Sequence, residues 1–352
     1  MELIKDRIIN KVFIPILCLI ALMSCSGNSS DDGRSRGIYY WRTSFALNDA
    51  EGDFLKEHDV DKIYVKFFDV EKDWKAAKGD AIIPIATMLF KDSIPPGVEI
   101  VPTIYITTQA MEAMQLLEDE YADKIIRRVN AMCRRNGITY NEIQLDCDWT
   151  KSTREYFFKL CEEIKRRLEP TQKISSTIRL HQLLQSPPPV DKGVLMVYNT
   201  GNLMEMTTDN SIFSRKDIEP YLRDDRLAKY TLPLDVAYPT YGWSITFHPG
   251  KDKYYFYRIL RQTDFKSSPV FKKIGNNMYE ATEDVSLDTE TRIYKGYRVR
   301  VERPSANEIL GIKSLIDNQL KDKPHANIIY HLDESQLSHY SDNEINKIYS
   351  CN

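Results

Sequence analysis

The run Gln144-Leu145-Asp146-Cys147-Asp148-Trp149 sets two carboxylates one residue apart in an otherwise largely apolar segment. Side chains of a strand alternate between its faces, so Gln144, Asp146 and Asp148 share one face and the apolar residues the other. Carboxylates at i and i+2 on a strand stand about 7 Å apart at the backbone. Like charges that close raise one pKa, which suits a proton donor beside an ionised partner. The competing reading is a pair neutralised by a cation that only shapes a rim. The next apolar segment, 173–180, puts Thr177, Arg179 and His181 on one face. Arg179 is a natural bidentate partner for the two aspartates, and His181 suits a proton relay. The expected catalytic set is therefore Asp146, Asp148, Arg179 and His181.

Other segments end in polar or aromatic residues in the same way. Tyr40 and Trp41 close 37–41. Lys66 lies inside 62–68, where alternation turns it inward with Tyr64 and Phe68, and a buried Lys needs a carboxylate. Tyr198 ends 193–198. Asp235 and Tyr238 fall in 232–238, Tyr241 and Trp243 follow it, and His331 and Asp333 stand on one face at the end of 327–332. Flat rings collected around one rim suit the faces of sugars. The expected substrate contacts are Tyr40, Trp41, Lys66, Tyr198, Asp235, Tyr238, Trp243, His331 and Asp333, and the expected partner is a carbohydrate. The sequence holds no HExxH, P-loop or GxSxG motif, and no Cys or His pair at metal spacing, so neither metal nor cofactor is expected. His58, His248, His325 and His339 read as surface residues.

The elements that position these residues follow from periodicity. Eight short apolar segments, 37–41, 62–68, 99–106, 142–147, 173–180, 193–198, 232–238 and 327–332, read as strands. Helical patterns span 111–135, with a C-cap at Asn136-Gly137, then 153–168, with Ser152 as N-cap, and 305–320; 217–228 is weaker. The stretch 81–90 reads as an extra strand. Strand–helix alternation to a count of eight predicts an α/β fold, a (β/α)8 TIM-type barrel whose chemistry lies at the C-terminal strand ends. The alternative, an open doubly wound sheet, lacks its glycine-rich phosphate turn. Residues 244–302 break the rhythm and predict a β-rich insertion after strand seven.

The chain has 352 residues, 42% hydrophobic and 28% charged, with a formal charge of −3. This composition excludes a disordered or fibrous protein, and the charge argues against nucleic acid as a partner. Oligomeric state is not encoded legibly. Residues 1–24 read as a leader: Lys5, Arg7 and Lys11 precede a 12-residue apolar run, 12–23, too short to span a bilayer, which takes about 20. Leu22-Met23-Ser24-Cys25 resembles the bacterial lipobox, which implies lipidation at Cys25, a lipid anchor in the membrane, and a cell-envelope location as an outer-membrane lipoprotein, periplasmic or surface-exposed. Residues 25–36 form the lipidated, small, polar tether, and 37–352 the barrel domain with its insertion. Cys133, Cys147, Cys161 and Cys351 are expected as thiols, with a disulfide left open in an oxidising compartment.

Residues 143–150 carry a resemblance. They are similar to the strand-four signature of chitinase-like (family 18) glycosidases, roughly DGIDIDWE: Asp146, Asp148 and Trp149 match, and Thr150 stands where that signature has its catalytic Glu. The mature body also resembles glycoside-hydrolase-like (β/α)8-barrel lipoproteins of Bacteroidota-type bacteria, through Gln144 to Asp148, Thr177 to His181 and Leu234 to Pro239. The resemblance implies an envelope-anchored barrel acting on a glycan through inward carboxylates. The alternative, favoured by Thr150, is a catalytically inactive barrel that binds glycan or serves in an outer-membrane assembly.

Overall fold

The structure is a computed structural model that describes residues 35–75, 82–261 and 264–351. The leader, Cys25 and the tether up to residue 34 lie outside the described residues. Among those described, eight parallel strands close a barrel: β1 (Gly37–Tyr40), β2 (Lys62–Lys72), β3 (Glu99–Ile106), β4 (Glu142–Cys147), β5 (Lys173–Arg179), β6 (Lys192–Met196), β7 (Leu234–Pro239) and β8 (Asn327–Tyr330). Closure comes from β1, which pairs with both β2 and β8. The strands are apolar on the outer face because helices cover it: α1 (Asp49–Glu57), α2 (Glu118–Asn136), α3 (Arg154–Lys165), α4 (Ala306–Leu320) and α5 (Asp342–Tyr349). No described helix is long and apolar enough to cross a membrane.

Helix ends follow local chemistry. Gly137 caps α2 at φ +65, a left-handed position that favours glycine. Ser305 and Glu308 form a capping box at the start of α4. The helix expected over 111–135 is instead two, Thr108–Ala113 and α2, separated by Leu116 at φ +67. Thr153, not Ser152, precedes α3, and its side chain does not cap the helix: its Oγ1 accepts the Thr150 amide instead. The helix expected over 217–228 breaks into Arg215–Ile218 and Arg226–Lys229, with Asp224 and Asp225 both left-handed between them. Between β2 and β3 no helix is described; Ile82–Ile85 pairs antiparallel with the end of β2, and Leu89–Phe90 pairs with Ser44–Phe45.

After β7 comes a five-stranded antiparallel sheet, ordered Tyr254–Leu260, Trp243–Pro249, Arg298–Glu302, Met278–Ala281, Phe271–Lys273. It has its own small core of Phe265, Phe271, Tyr279, Ile293 and Val299. One face meets the loop that follows β6, at the C-terminal end of the barrel: the Arg300 guanidinium reaches the Leu203 carbonyl at 3.4 Å, and Asn277 Nδ2 donates to the Asp209 carbonyl at 2.6 Å.

The barrel interior is layered. At the N-terminal end a charge ring closes the floor: Lys62 pairs with Glu99 (3.4 Å) and Glu142 (3.0 Å), and Lys192 with Glu142 (3.7 Å) and Asp235 (2.5 Å). Above it Tyr39 stacks on Tyr64, centroids 4.9 Å apart, and donates to Gln144 at 2.8 Å. The polar mouth lies above these rings. Cys133, Cys147 and Cys161 are buried and form no disulfide among the described residues, and burial pushes Cys133 up to about 12.

Candidate functional site

The mouth is assembled by strand alternation. In β4, Gln144 and Asp146 point inward and Leu145 and Cys147 into the helix layer, where Trp149 packs against Phe157 and Phe158 of α3. Arg179, last residue of β5, lies beside them: its Nη2 donates to Asp146 at 3.1 Å and its Nε to Asp148. The Thr177 hydroxyl donates to the same Asp146 oxygen at 2.7 Å. Asp146 is almost fully buried, whereas the Asp148 side chain is 49% exposed. Burial, with Asp148 and Asp69 adding repulsion, raises Asp146 above the usual carboxylate range against the pull of Arg179 and Thr177. Burial opposes charge on Arg179, but the two carboxylates outweigh it and raise its pKa.

His181 is near this cluster but no longer follows the strand. The backbone turns into a 3-10 helix, Leu180–Leu184, directly after Arg179, so His181 leaves the alternation that would have aligned it with Thr177. It is exposed at the rim, and partial burial together with Arg179 lowers its pKa against the pull of Asp148.

Lys66 points inward and pairs with Asp69 at 3.1 Å. Phe68 does not accompany it. A bulge between Lys66 and Phe68 adds one residue to β2, so Phe68 faces Arg128 in the helix layer and Asp69 falls in register with Tyr105 and, across β3, with Asp146.

Trp41, Tyr198 and Trp243 belong to a train of rings that leads out of the barrel. Tyr330 lies 5.6 Å from Tyr39, 6.0 Å from Trp41, 4.8 Å from Tyr198 and 5.5 Å from Tyr241, and Tyr241 is 5.5 Å from Trp243. His331 packs against Tyr330 at the same rim; burial pushes it down to about 4, and its Nδ1 has no hydrogen-bond partner.

Four expected contacts lie elsewhere. Tyr40 neighbours two inward residues, so alternation turns it outward, where its hydroxyl donates to the Ser44 carbonyl at 2.8 Å and accepts the Ala46 amide at 3.1 Å. Tyr238 is fully buried in the outer layer, level with Ile329. Asp333 caps the short helix Glu334–Leu337 and lies 3.6 Å from Arg42. Asp235 is the second residue of β7, so it sits in the floor, paired with Lys192 and accepting the Ala326 amide at 2.9 Å. Asp235→Asn is expected to cost about 1–3 kcal/mol by leaving Lys192 with Glu142 alone while leaving ligand binding at the mouth unchanged. Chemical denaturation and a binding titration on the same variant check both halves.

The sequence reasoning missed Tyr105, Tyr330 and Asp69. Tyr105 was readable by alternation from Thr103; with two carboxylates near, burial first raises its hydroxyl to about 12. His58 and His325, expected at the surface, are buried. Among the described residues no cluster of His, Cys, Asp and Glu could hold a metal.

No family model matches the chain, and no curated protein matches it in sequence. Solved structures do. It is similar to a GH18 chitinase from Cycas revoluta in complex with (GlcNAc)4, with a TM-score of 0.51 and 12% identity over 90% of this chain and 98% of that one. It is similar to a chitinase from Chromobacterium violaceum, with a TM-score of 0.51 and 11% identity over 89% and 97%. The spore cortex-lytic enzyme SleL of Bacillus cereus gives a TM-score of 0.50 and 13% identity over 90% and 74%. This chain shares their fold. At these identities the likeness is one of architecture. Thr150, three residues past the end of β4, forms hydroxyl contacts with Ser152 (2.8 Å) and Thr153 (3.4 Å).

Proposed function

We propose that the barrel recognises carbohydrate at its C-terminal mouth and holds it without chitinase-type hydrolysis. The observation that carries this reading is the pairing of an aromatic wall, Trp41, Tyr198, Tyr241, Trp243 and Tyr330, with two carboxylates gathered on one guanidinium. Rings of this kind stack on sugar faces. Most glycosidases set a pair of carboxyl groups about 5–9.5 Å apart across the scissile bond, and the chitinase-like strand-four signature sets its proton-donating Glu at the place that Thr150 holds here. Here Arg179 ties both carboxylates to one side of the mouth, and position 150 supplies a hydroxyl. With Asp69, Asp146 and Asp148 against Lys66 and Arg179, the mouth suits neutral saccharides better than polyanionic ones.

The test is a titration of the full protein with (GlcNAc)4, cellohexaose, xylohexaose and mannohexaose, followed by assay of reducing ends. Binding of at least one oligosaccharide with no new reducing ends is expected. The raised pKa of Asp146 favours a second reading, in which it donates a proton to a glycosidic oxygen. Release of reducing ends that disappears in Asp146→Asn would establish that reading and end the first.

The anchor belongs to the same proposal. The lipobox-like residues 22–25 support attachment through Cys25 to the cell envelope, where several acyl chains hold stably. Cys25→Ala is expected to move the protein from the membrane fraction to the soluble one. Unchanged partitioning on fractionation would remove the lipid anchor from the proposal.

A further inference from the structure

The insertion sheet and the mouth meet at one buried carboxylate. Glu302 is the last residue of its strand and the cross-strand partner of Trp243. Its side chain is fully enclosed, and three donors converge on it: the Trp243 indole Nε1 at 2.7 Å, the Ser211 hydroxyl at 2.5 Å and the Arg300 Nε at 2.5 Å. The same Arg300 guanidinium, itself 1% exposed, continues to the carbonyls of Glu205 and Leu203. The acceptor thus gathers a mouth aromatic, the loop after β6, and the cation that clasps that loop's backbone.

Elementary electrostatics gives the arrangement its direction. A buried carboxylate takes charge-assisted bonds that are shorter and stronger than neutral ones, and an enclosed ion pair without its partner is costly. Glu302 therefore has a single stable arrangement, and the indole of Trp243 is held edge-on toward it. The other end of the ring train is fixed independently by Tyr39 and Gln144 inside the barrel. Between these two fixed ends stand Tyr330 and Tyr241, and the Tyr241 hydroxyl donates to Asn199 in the same loop at 2.6 Å.

We infer that Glu302 is a positioning residue: it sets the angle of Trp243 and the place of residues 199–213, and through them the width of the saccharide mouth. The inference rests on the carbohydrate reading above for its ligand, but its geometric half stands without any ligand. The insertion then acts as the determinant of which saccharide the barrel mouth accepts, with Glu302 as the link.

The experiment uses full-length protein with 15N-labelled tryptophan. In Glu302→Gln the Trp243 indole resonance should move upfield, and amide exchange across 203–211 should quicken at least tenfold. Affinity for whichever of (GlcNAc)4, cellohexaose, xylohexaose or mannohexaose binds the wild type should fall about tenfold. Trp243→Phe should give the same loss of affinity with loop exchange unchanged. Should Glu302→Gln not fold, Ser211→Ala removes one donor and leaves the ion pair; faster loop exchange is then expected. An unmoved indole resonance with unchanged exchange overturns the inference whatever the saccharide does. Full affinity in Trp243→Phe overturns the link to the mouth. If no oligosaccharide binds the wild type, the carbohydrate reading fails, and the resonance and exchange still decide the role of Glu302.

Discussion

Replacing Arg179 by Met is expected to destabilise the fold by about 3–5 kcal/mol near neutral pH, the usual cost of stripping one partner from a buried ion pair. The reason is Asp146. It is nearly enclosed, and its remaining polar contact in the mouth is the hydroxyl of Thr177. Asp148 is half-exposed, so water takes over much of what Arg179 supplied there, and Asp148→Asn should change stability by only about 1 kcal/mol. The pH dependence identifies the residue at fault. Because the folded pKa of Asp146 lies above the unfolded value of about 4, its contribution is complete below that value and declines as pH rises through the folded one. Without Arg179 the folded value climbs further, so the deficit of the variant should narrow steadily in acid. Urea unfolding of both proteins from pH 4 to 8 measures it; a deficit independent of pH would mean that Arg179 acts by packing alone.

His325→Gln carries the other large effect, and its sign runs the opposite way. His325 lies against the outer face of the barrel. Burial favours its neutral form, yet Asp317 at 3.4 Å, Cys351 and the Lys323 carbonyl at 3.0 Å outweigh burial and raise its pKa to about 10. Lys313 pairs with the same Asp317 at 2.5 Å. A histidine raised from an unfolded value near 6.5 contributes stability that is fully present below that pH and is lost as pH rises through the folded value. The shift corresponds to about 3–5 kcal/mol. The difference between wild type and His325→Gln should therefore be largest near pH 6 and shrink toward pH 10. Guanidinium unfolding at pH 6, 8 and 10 checks this, and a constant difference would show that the imidazole stays neutral in the fold.

The barrel was legible because its strands are buried on both faces and stand out as short apolar runs between polar turns. The faces of β4 and β5 were legible for a second reason: their alternation is unbroken through Asp146 and Arg179, and Asp148, one residue past β4, still meets Arg179 on the same side. Legibility stopped where a strand ended or changed phase. His181 left its face because a 3-10 turn begins one residue earlier. Tyr40 and Trp41, being adjacent, were never able to share a face, and the chain itself contains that contradiction. Asp235 failed on height rather than face: β7 starts at Leu234, two residues later than its apolar run, which drops the carboxylate to the floor. The burial of His58 and His325 depends on segments far away in the chain, Asn346 for one and Cys351 for the other, and no local pattern encodes such company.

The extra residue in β2 works as a shift of reading frame. Below Phe67 the strand is read in one phase, which turns Tyr64 and Lys66 inward; above it the phase reverses and Asp69 takes the inward place that Phe68 would have held. The floor and the mouth of that strand are thereby uncoupled. Were the same residues to run through the strand without the bulge, the Tyr39–Tyr64 stack would stay intact while a phenyl ring took the place of the carboxylate at the rim, leaving Lys66 without its partner. The bulge thus sets the polarity of the mouth on its own, with the barrel beneath it undisturbed.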